Sequence, residues 1–291
     1  MTVQNHAVET KCTACGSTGG VELIRLKDGA YRQCSACELI FASPMPWNLE
    51  QRNDASFTER LDRYAAKIQT KRRRNRRKLR RFSRYRRTGN LLEIGCNAGA
   101  TLDVARSMGW NARGVELCAS AGAYARSELG LDVFTGTVEA AGFPDDCFDV
   151  VFTNAVMEHL RDPLSVLREC RRILRPGGIF YADTVNWDSY TRRLLGARWK
   201  YLSPGAHVHL FTPRNVVNLC ERAGLEHVRT WTSGVRSTAS APADFRCPRY
   251  LRLVKGPLSF LARWTNKGDH IEFLARKPLG EPASQPVAAQ P

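Results

Sequence analysis

Residues 91–99 of the chain read LLEIGCNAG, an apolar run that leads into a turn punctuated by Gly95 and Gly99. The run predicts a buried β-strand, and the residues that follow it predict a helix. Such a unit brings backbone amides and a helix N-terminus against a ligand. Glu116 ends the next predicted strand, 21 residues after Gly95, where a carboxylate can accept hydrogen bonds from ribose hydroxyls. The stretch therefore predicts a nucleotide-type site in an α/β fold.

The sequence around this unit alternates short apolar runs with longer amphipathic ones from residue 89 to residue 277. That alternation predicts a mostly parallel sheet with helices on both faces. A helix from residue 163 is expected to stop at the RPGG turn, residues 175–178, and another is expected to start after Thr212 and stop at Gly224. The predicted strands are residues 91–94, 112–117, 131–134, 148–153, 179–185, 225–231 and 270–275.

Three kinds of turn share this local pattern. A dinucleotide site has the spacing G-x-G-x-x-G, whereas Asn97 stands here where the middle glycine would be. Glu93, directly before the turn, would repel a pyrophosphate and suits a cationic cofactor better. The third alternative, an ordinary turn with glycines only for its geometry, is disfavoured by the surrounding βαβ pattern.

At this point the chain resembles class I S-adenosylmethionine-dependent methyltransferases. The resemblance covers residues 89–277 and is carried, in order, by LLEIGCNAGA, Glu116, FDVVFTNAVMEHLRDP and LRPGGIF. It implies a Rossmann-like seven-stranded sheet of order 3-2-1-4-5-7-6 with the last strand antiparallel. Asn97 departs from the family pattern, although asparagine tolerates the unusual φ of such a turn.

The resemblance also implies the roles of individual residues toward S-adenosylmethionine. Glu93, Gly95 and Gly99 would hold the methionine part, and Glu116 would hold the ribose. Val138 and Glu139 would lie beside the adenine, and Asn154 and Ala155 would lie below the reacting methyl group.

A second chemistry is predicted by the cysteines near the start of the chain. Cys12 and Cys15 form one C-x-x-C pair, Cys34 and Cys37 form another, and 18 residues separate the pairs. This is the spacing of a four-thiolate structural zinc site, and the segment is similar to the zinc ribbons that precede some methyltransferases. The alternative is a set of redox or buried thiols. Residues 1–47 are therefore predicted to be a zinc ribbon, with Glu38 where the second knuckle often has glycine.

The segment from Lys71 to Arg87, KRRRNRRKLRRFSRYRR, holds 12 basic residues and no acidic one. It dominates the net charge of +16 and falls within a predicted helical linker, residues 48–88. The simplest interpretation is a solvated helix face. The alternatives are contact with an anionic membrane surface, with RNA or with a phosphate-bearing substrate. The tail from residue 278 to residue 291 is expected to be disordered.

Three histidines are candidate general bases. His159 follows the fourth strand at the carboxyl edge of the sheet, where ligands bind, and His207 and His209 lie in the region that normally covers the substrate. Because His207 and His209 alternate, an extended chain would turn at most one toward the substrate. His209 is the first choice, and packing without catalysis is the alternative for each.

Composition narrows the class of protein. The chain has 291 residues, 43% hydrophobic and 25% charged, which excludes collagen, coiled-coil and wholly disordered proteins. Its apolar runs are shorter than the ~18 residues of a membrane span, and its N-terminus does not read as a secretory signal. A cytoplasmic location is therefore expected. There, metal binding or burial suits the ten cysteines better than disulfides do.

The expected function is methyl transfer to oxygen or carbon of a small-molecule, glycan or lipid-linked acceptor. One alternative is an RNA methyltransferase that grips phosphates with the cysteine segment and the basic segment. The sequence Thr153-Asn-Ala-Val156 lacks the Asn/Asp-Pro-Pro-aromatic motif of many enzymes that methylate base nitrogens. The other alternative is an inactive binding scaffold, which the intact set of Gly95, Gly99 and Glu116 disfavours.

Overall fold

The computed structural model describes residues 11–46, 72–235 and 249–279. The strands in these ranges form a four-stranded and a seven-stranded sheet. In chain order they are Gly20–Leu26 (β1), Gly29–Cys34 (β2), Ile40–Ser43 (β3), Asn90–Ile94 (β4), Asn111–Glu116 (β5), Asp132–Thr135 (β6), Phe148–Asn154 (β7), Leu174–Val185 (β8), His209–Leu210 (β9), Glu226–Ser233 (β10) and His270–Arg276 (β11).

The larger sheet has the order β10-β11-β8-β7-β4-β5-β6. The pairs β4–β5, β4–β7, β5–β6 and β7–β8 are parallel, whereas β11 is antiparallel to both β8 and β10. Counted along the chain within this sheet, the order reads 3-2-1-4-5-7-6. The predicted Rossmann-like topology and its antiparallel last strand are confirmed.

Helices cover both faces of this sheet, and their first residues follow from capping chemistry. The Asp162 carboxylate accepts hydrogen bonds from the amides of Leu164 and Ser165 at 3.0 and 2.9 Å. Thr212 forms a capping box with Asn215. The helices are residues 72–79 (α1), Ala100–Ser107 (α2), Ala119–Leu129 (α3), Pro163–Ile173 (α4), Tyr190–Leu195 (α5), Pro213–Arg222 (α6) and Arg249–Thr265 (α7). Among the described helices, none combines the length and the apolar character needed to cross a bilayer.

The RPGG sequence is not the loop that the pattern predicts. Strand β8 begins at Leu174, which pairs with Phe148, and the register shifts before Val150 pairs with Ile179. The turn is therefore an irregularity inside the strand. Gly178 explains why the chain tolerates it, because a Cβ atom there would lie 2.8 to 3.2 Å from three carbonyl oxygens.

The smaller sheet has the order β1-β2-β3-β9. Its fourth strand comes from far along the chain, since Ile40 pairs with Leu210 and Phe41 pairs with His209. This pairing joins the predicted segment 1–47 to the predicted segment 89–277. The two predicted units thus share a sheet.

The basic segment packs against the larger sheet over the residues that the structure describes. Leu79 and Phe82 are fully buried in the core on that face. The buried Asp149 carboxylate accepts hydrogen bonds from the amides of Arg87, Thr88 and Gly89 at 2.7 to 2.9 Å. Ion pairs also join Arg72 to Asp103 and Arg81 to Glu272. The predicted linker residues 48–71 and the tail residues 280–291 lie outside the described residues.

Candidate functional site

A cavity of about 1000 Å³ opens at the carboxyl ends of β5, β4, β7 and β8. This volume is at the upper end of the range for small-molecule sites. The cavity lies where the sheet order reverses between β4 and β7, the place where open α/β sheets bind ligands. Its wall includes the predicted cofactor residues Glu93, Gly95, Glu116, Val138, Glu139, Asn154 and Ala155.

The glycine-rich turn has the backbone conformation that its sequence predicts. Gly95 has φ +70°, and a Cβ atom there would lie 2.4 Å from Val156. Asn97 has φ +54°, which confirms that asparagine takes the unusual conformation at this position. Gly99 is not part of the cavity wall, although its neighbours Ala98 and Ala100 are, so its role toward the cofactor stays a prediction. Its φ of +79° and the 2.3 Å that would separate a Cβ atom from Leu131 make it a packing residue at the start of α2.

Glu116 holds the turn in place from the end of β5. Its Oε2 accepts a hydrogen bond from the Asn97 amide at 2.7 Å, and its Oε1 accepts one from the Cys118 amide at 2.9 Å. Both carboxylate oxygens therefore hold backbone amides of the turns that line the cavity. The position of Glu116 in the cavity wall suits the predicted ribose contact.

Glu93 is buried in the cavity wall, and one of its two carboxylate oxygens is unpaired. Oε1 accepts a hydrogen bond from Asn154 Nδ2 at 3.2 Å, but the buried Oε2 has no hydrogen-bond partner, although Thr101 lies nearby. Burial raises the pKa of Glu93 to about 8. Buried polar atoms are rarely left unpaired, so an orphaned oxygen beside a cavity indicates a missing donor or cation.

Val138 and Glu139 lie at the end of the cavity near β6. Val138 is buried and gives the wall an apolar surface, while Glu139 accepts a hydrogen bond from Ser165 at 3.4 Å. Leu117 and Val166 extend the apolar surface. This composition suits the flat, partly polar ring system that the resemblance implies there.

Asn154 and Ala155 connect the cofactor end of the cavity to its opposite end. Ala155 has φ +52°, an uncommon conformation for a residue other than glycine, and its amide donates to the Asp183 carbonyl at 2.8 Å. The Oδ1 atom of Asn154 accepts a hydrogen bond from the Lys78 ammonium group. Asn154 therefore bridges Glu93 and Lys78.

The three predicted histidines occupy two different environments. His159 lines the cavity, and its ring lies 5.0 Å from that of His207 between centroids. Their Nδ1 atoms contact the carbonyl oxygens of Ala206 and Tyr201 at 2.7 and 2.9 Å. If both Nδ1 atoms carry the proton, both Nε2 atoms keep a free lone pair.

His209, the first choice as base, is fully buried outside the cavity wall. Its Nδ1 contacts the Leu160 carbonyl at 2.9 Å, and its Nε2 contacts the Thr13 hydroxyl at 2.8 Å. Burial lowers its pKa to about 4. With both ring nitrogens engaged, His209 joins the N-terminal segment to the larger domain and has no path to an acceptor.

Glu158, the residue beside His159, places a buried carboxylate next to the two histidines. Glu158 is buried and accepts a hydrogen bond from Thr184 at 2.8 Å. One ligand-type atom each from Glu158, His159 and His207 lie within 4.8 Å of one another. Two imidazoles and a carboxylate at this spacing are chemically able to hold a divalent cation, so His159 has two candidate roles.

The residues of the cavity wall that the sequence did not indicate include Lys78, Asp183 and His270. Lys78 is one basic residue among many, and burial lowers its pKa. Asp183 and His270 sit in runs that predict strands and carry no motif. The sheet order brings Asp183 and His270 together, and the packing of the basic segment against the larger sheet adds Lys78.

The four predicted cysteine ligands do form a cluster. Cys12 Sγ lies 3.5 Å from Cys37 Sγ, Cys15 Sγ lies 3.5 Å from Cys34 Sγ, and all four sulfur atoms lie within 4.8 Å of one another. Four thiolates at ~2.3 Å from one tetrahedral zinc ion would be about 3.8 Å apart. Glu38 beside them has φ +60°, the conformation for which glycine is preferred.

Comparison with known sequences agrees with this fold and site. A family described as "Methyltransferase domain" matches residues 64–230, more than half of the chain. A curated relative from Cereibacter sphaeroides, named ubiquinone biosynthesis O-methyltransferase, is 32% identical over 149 residues, which are 47% of this chain. The chain spans 60% of the length of that relative.

Comparison with solved structures shows the same fold at low sequence identity. A SAM-dependent methyltransferase from Archaeoglobus fulgidus has a TM-score of 0.52 and 19% identity, and the match covers 71% of this chain and 94% of that one. A SAM-dependent methyltransferase from Thermotoga maritima has a TM-score of 0.52 and 18% identity over 76% of this chain and 97% of that one. With the sheet order, the glycine-rich turn and the match over residues 64–230 in agreement, the chain belongs to the methyltransferase-domain family.

Proposed function

We propose that this protein transfers the methyl group of S-adenosylmethionine to a hydroxyl oxygen of a small-molecule acceptor. The observation that carries the proposal is the Oε2 atom of Glu93, buried and unpartnered in the wall of the cavity. A cationic cofactor would supply the missing partner. The name of the Cereibacter sphaeroides relative, an O-methyltransferase, supports oxygen as the acceptor atom.

The residues present fit this cofactor. Glu93 would face its cationic groups, Glu116 would accept bonds from the ribose hydroxyls, and Val138 would pack against the adenine. Gly95 lets the turn approach closely, since any side chain there would meet Val156. When bound, S-adenosylmethionine supplies a methyl group on a positively charged sulfur.

Beyond the reactivity of the cofactor itself, the rate enhancement would come from placing the acceptor oxygen in line with that methyl group. Asn154 and Ala155 sit between the cofactor end and the far end of the cavity, and Ala206 covers the far end. Fixing two reactants at contact distance is worth several orders of magnitude in rate. His159, with its free Nε2, is one candidate to receive the hydroxyl proton.

We also propose that Cys12, Cys15, Cys34 and Cys37 bind one structural zinc ion and that residues 1–47 form a zinc ribbon. The support is the spacing of the four sulfur atoms and the shortness of the segment, since small metal-binding units commonly depend on the ion to fold. A closed four-thiolate site has no open position for a substrate, so its role would be to hold the four-stranded sheet.

We propose an anionic membrane surface or RNA as the partner of the exposed arginines of the basic segment. The structure reduces the charge available, because Arg72, Arg81 and Lys78 are engaged within the chain. Either partner would bind more weakly as salt concentration rises.

The test uses the full chain loaded with zinc. We would incubate it with tritiated S-adenosylmethionine and a cell extract, and separate RNA, protein, lipid and small molecules. Label in the small-molecule or lipid fraction, as a methyl ether by mass spectrometry, is the expected result. Label in RNA would support the RNA alternative instead. Glu226→Gln, which removes an exposed charge paired with Arg276, is the matched control.

A further inference from the structure

Five neighbouring strands each place one polar side chain in the same cavity wall. Glu116 on β5, Glu93 on β4 and Asn154 on β7 form the cofactor side, and Asp183 on β8 and His270 on β11 follow in the same direction. Asn154 pairs with Asp183, and adjacent strands are about 5 Å apart. Asp183 therefore lies one strand beyond the residue placed near the reacting methyl group, on the side away from the ribose site.

Asp183 is the centre of a hydrogen-bonded chain. His270 Nδ1 lies 3.3 Å from Asp183 Oδ1, and His270 Nε2 lies 2.8 Å from the Tyr201 hydroxyl. Lys78 Nζ lies 3.9 Å from Asp183 Oδ2. If His270 donates a hydrogen bond from Nδ1 to the carboxylate, its Nε2 accepts a hydrogen bond from the Tyr201 hydroxyl. The hydrogen bond with His270 and the nearby Lys78 ammonium group therefore fix the orientation of the Asp183 carboxylate from two sides.

We propose that Asp183 is the group that accepts the hydroxyl proton of the methyl acceptor, and that His270 and Tyr201 are positioning residues that hold its carboxylate. The proposal rests on the proposed O-methyl transfer and assigns its acceptor end. Oδ1 is engaged by His270, which leaves Oδ2 and the facing Lys78 ammonium to meet an entering hydroxyl.

The ionisation of Asp183 agrees with this role. Burial raises its pKa, but the hydrogen bond from His270 and the charge of Lys78 outweigh burial, so the pKa lies below its usual range. The side chain is therefore a carboxylate at neutral pH, although most of it is shielded from water.

The reaction step balances without a further reactant. As the acceptor oxygen forms its bond to the methyl carbon, the carbon–sulfur bond breaks and its electron pair stays on the sulfur, which becomes neutral. The hydroxyl proton passes to Oδ2 of Asp183 and leaves to water after the products depart.

The chemistry of a carboxylate decides which hydroxyl compound is a useful probe. A phenol, with a pKa of ~10, gives up its proton much more readily than an aliphatic alcohol does. A catechol, which carries two phenolic hydroxyls, is therefore the probe for this base.

Two histidines of the cavity wall are the rival bases. His270 has both ring nitrogens engaged, by Asp183 and by Tyr201, so it is the weaker rival. His159 has Nε2 available and is the stronger one. The variants Asp183→Asn and His159→Asn therefore separate the two assignments.

The first measurement is binding. Wild type saturated with S-adenosylhomocysteine should bind catechol, measured by calorimetry, and Asp183→Asn should weaken that binding by roughly tenfold or more, because the neutral hydroxyl loses a charged acceptor. S-adenosylmethionine binding should stay within a few-fold in both proteins and in the control Glu226→Gln. No binding of catechol to the wild-type complex, or equal binding to wild type and Asp183→Asn, would overturn the proposal whatever the reaction proves to be.

The second measurement is turnover with catechol and tritiated S-adenosylmethionine. Asp183→Asn should lower kcat by about 10² to 10⁴, as loss of a general base does, with KM for the cofactor unchanged. His270→Gln and Tyr201→Phe should lower kcat less and shift the pH profile of kcat. If His159→Asn loses turnover and Asp183→Asn keeps it, His159 is the base. Cofactor binding without methylation of any hydroxyl compound by wild type would refute the proposed function and, with it, this assignment.

Discussion

Glu93 couples the cavity to pH, because burial raises the pKa of its carboxyl group to about 8. S-adenosylmethionine is a cation and should bind the ionised form. Below pH 8 its binding must release a proton from Glu93, so its affinity should rise with pH by up to roughly tenfold per unit and level off above that value. Calorimetry in buffers of different ionisation enthalpy would measure both the affinity and the proton release.

The same residue makes a prediction for stability without cofactor. The folded chain keeps a proton on Glu93 that the unfolded chain loses above a pKa of 4.5. The contribution of this group to the free energy of unfolding should therefore fall as pH rises from about 4.5 to about 8. Glu93→Gln should flatten both pH profiles, whereas the exposed Glu226→Gln should keep them. Identical profiles for wild type and Glu93→Gln would show that another group titrates there.

Glu116 carries a further prediction at the cofactor end. Glu116→Ala removes the acceptor for the ribose hydroxyls and also frees the amides of Asn97 and Cys118. Charge-assisted hydrogen bonds contribute about 1.5–3 kcal/mol, so the Kd for S-adenosylmethionine should rise roughly ten- to a hundredfold. An unchanged Kd, measured by calorimetry, would place the ribose elsewhere.

Individual residues show which features of the candidate site could be predicted from the sequence. Asn97 was predictable, because its φ follows from where it stands in a glycine-rich turn. His209 was mispredicted, because sequence spacing does not reveal that Thr13, 196 positions earlier, contacts its ring. His270 carried no signal at all, since its place in the cavity wall depends on an antiparallel strand inserted beside β8.

Among the elements, the described part of the basic segment is anchored by packing as well as by charge. Phe82 is buried against Phe152 and Tyr181, with ring centroids 5.6 and 5.3 Å away. Removing a buried phenylalanine costs about 3–5 kcal/mol, so Phe82→Ala should lower the free energy of unfolding by that amount. Urea denaturation would measure it. Arg80→Ala, on an exposed neighbour, should change stability by less than about 0.5 kcal/mol, and equal losses would contradict the anchoring role.

The strands and helices of the larger sheet were predictable because each carries its own periodicity and caps. Thr212 and Asp162 are residue types that favour the N-cap position, so they indicate where their helices begin. Strand β9 was not predictable, because a pair of residues has no periodicity and forms a strand only where β3 offers an edge. The early start of β8 was hidden for a related reason, since proline and glycine usually end an element and here form an irregularity inside one.

For the whole molecule, the cysteine cluster and the acceptor end of the cavity are joined by β9. Tyr31 donates a hydrogen bond to the His207 carbonyl at 2.7 Å, and the Ala42 amide donates to the Val208 carbonyl at 2.8 Å. Combining Cys34→Ser with Cys37→Ser should reduce zinc from about one ion per chain to none. It should also lower methyl transfer much more than cofactor affinity, because Glu93 and Glu116 lie on the larger sheet.

Metal analysis, calorimetry and the tritium assay on the same preparation would test this coupling. Cys170→Ser, which alters a buried cysteine outside the cluster, is the control for general loss of stability. Equal losses of cofactor affinity and turnover in the double variant would indicate global unfolding. Freely titratable thiols and no zinc in wild type would refute the metal site.

The pairing of β3 with β9 also sets an order of events during synthesis. Thr13 leaves the ribosome 196 residues before His209, its hydrogen-bond partner. At 5–20 residues per second this interval is roughly 10–40 s. During this interval the edge of β3 would have no partner strand, and the four thiols would be the groups available to hold β1, β2 and β3 together. If the four thiols bind zinc as proposed, binding during synthesis would hold β1, β2 and β3 together before the strand that completes the sheet has been made.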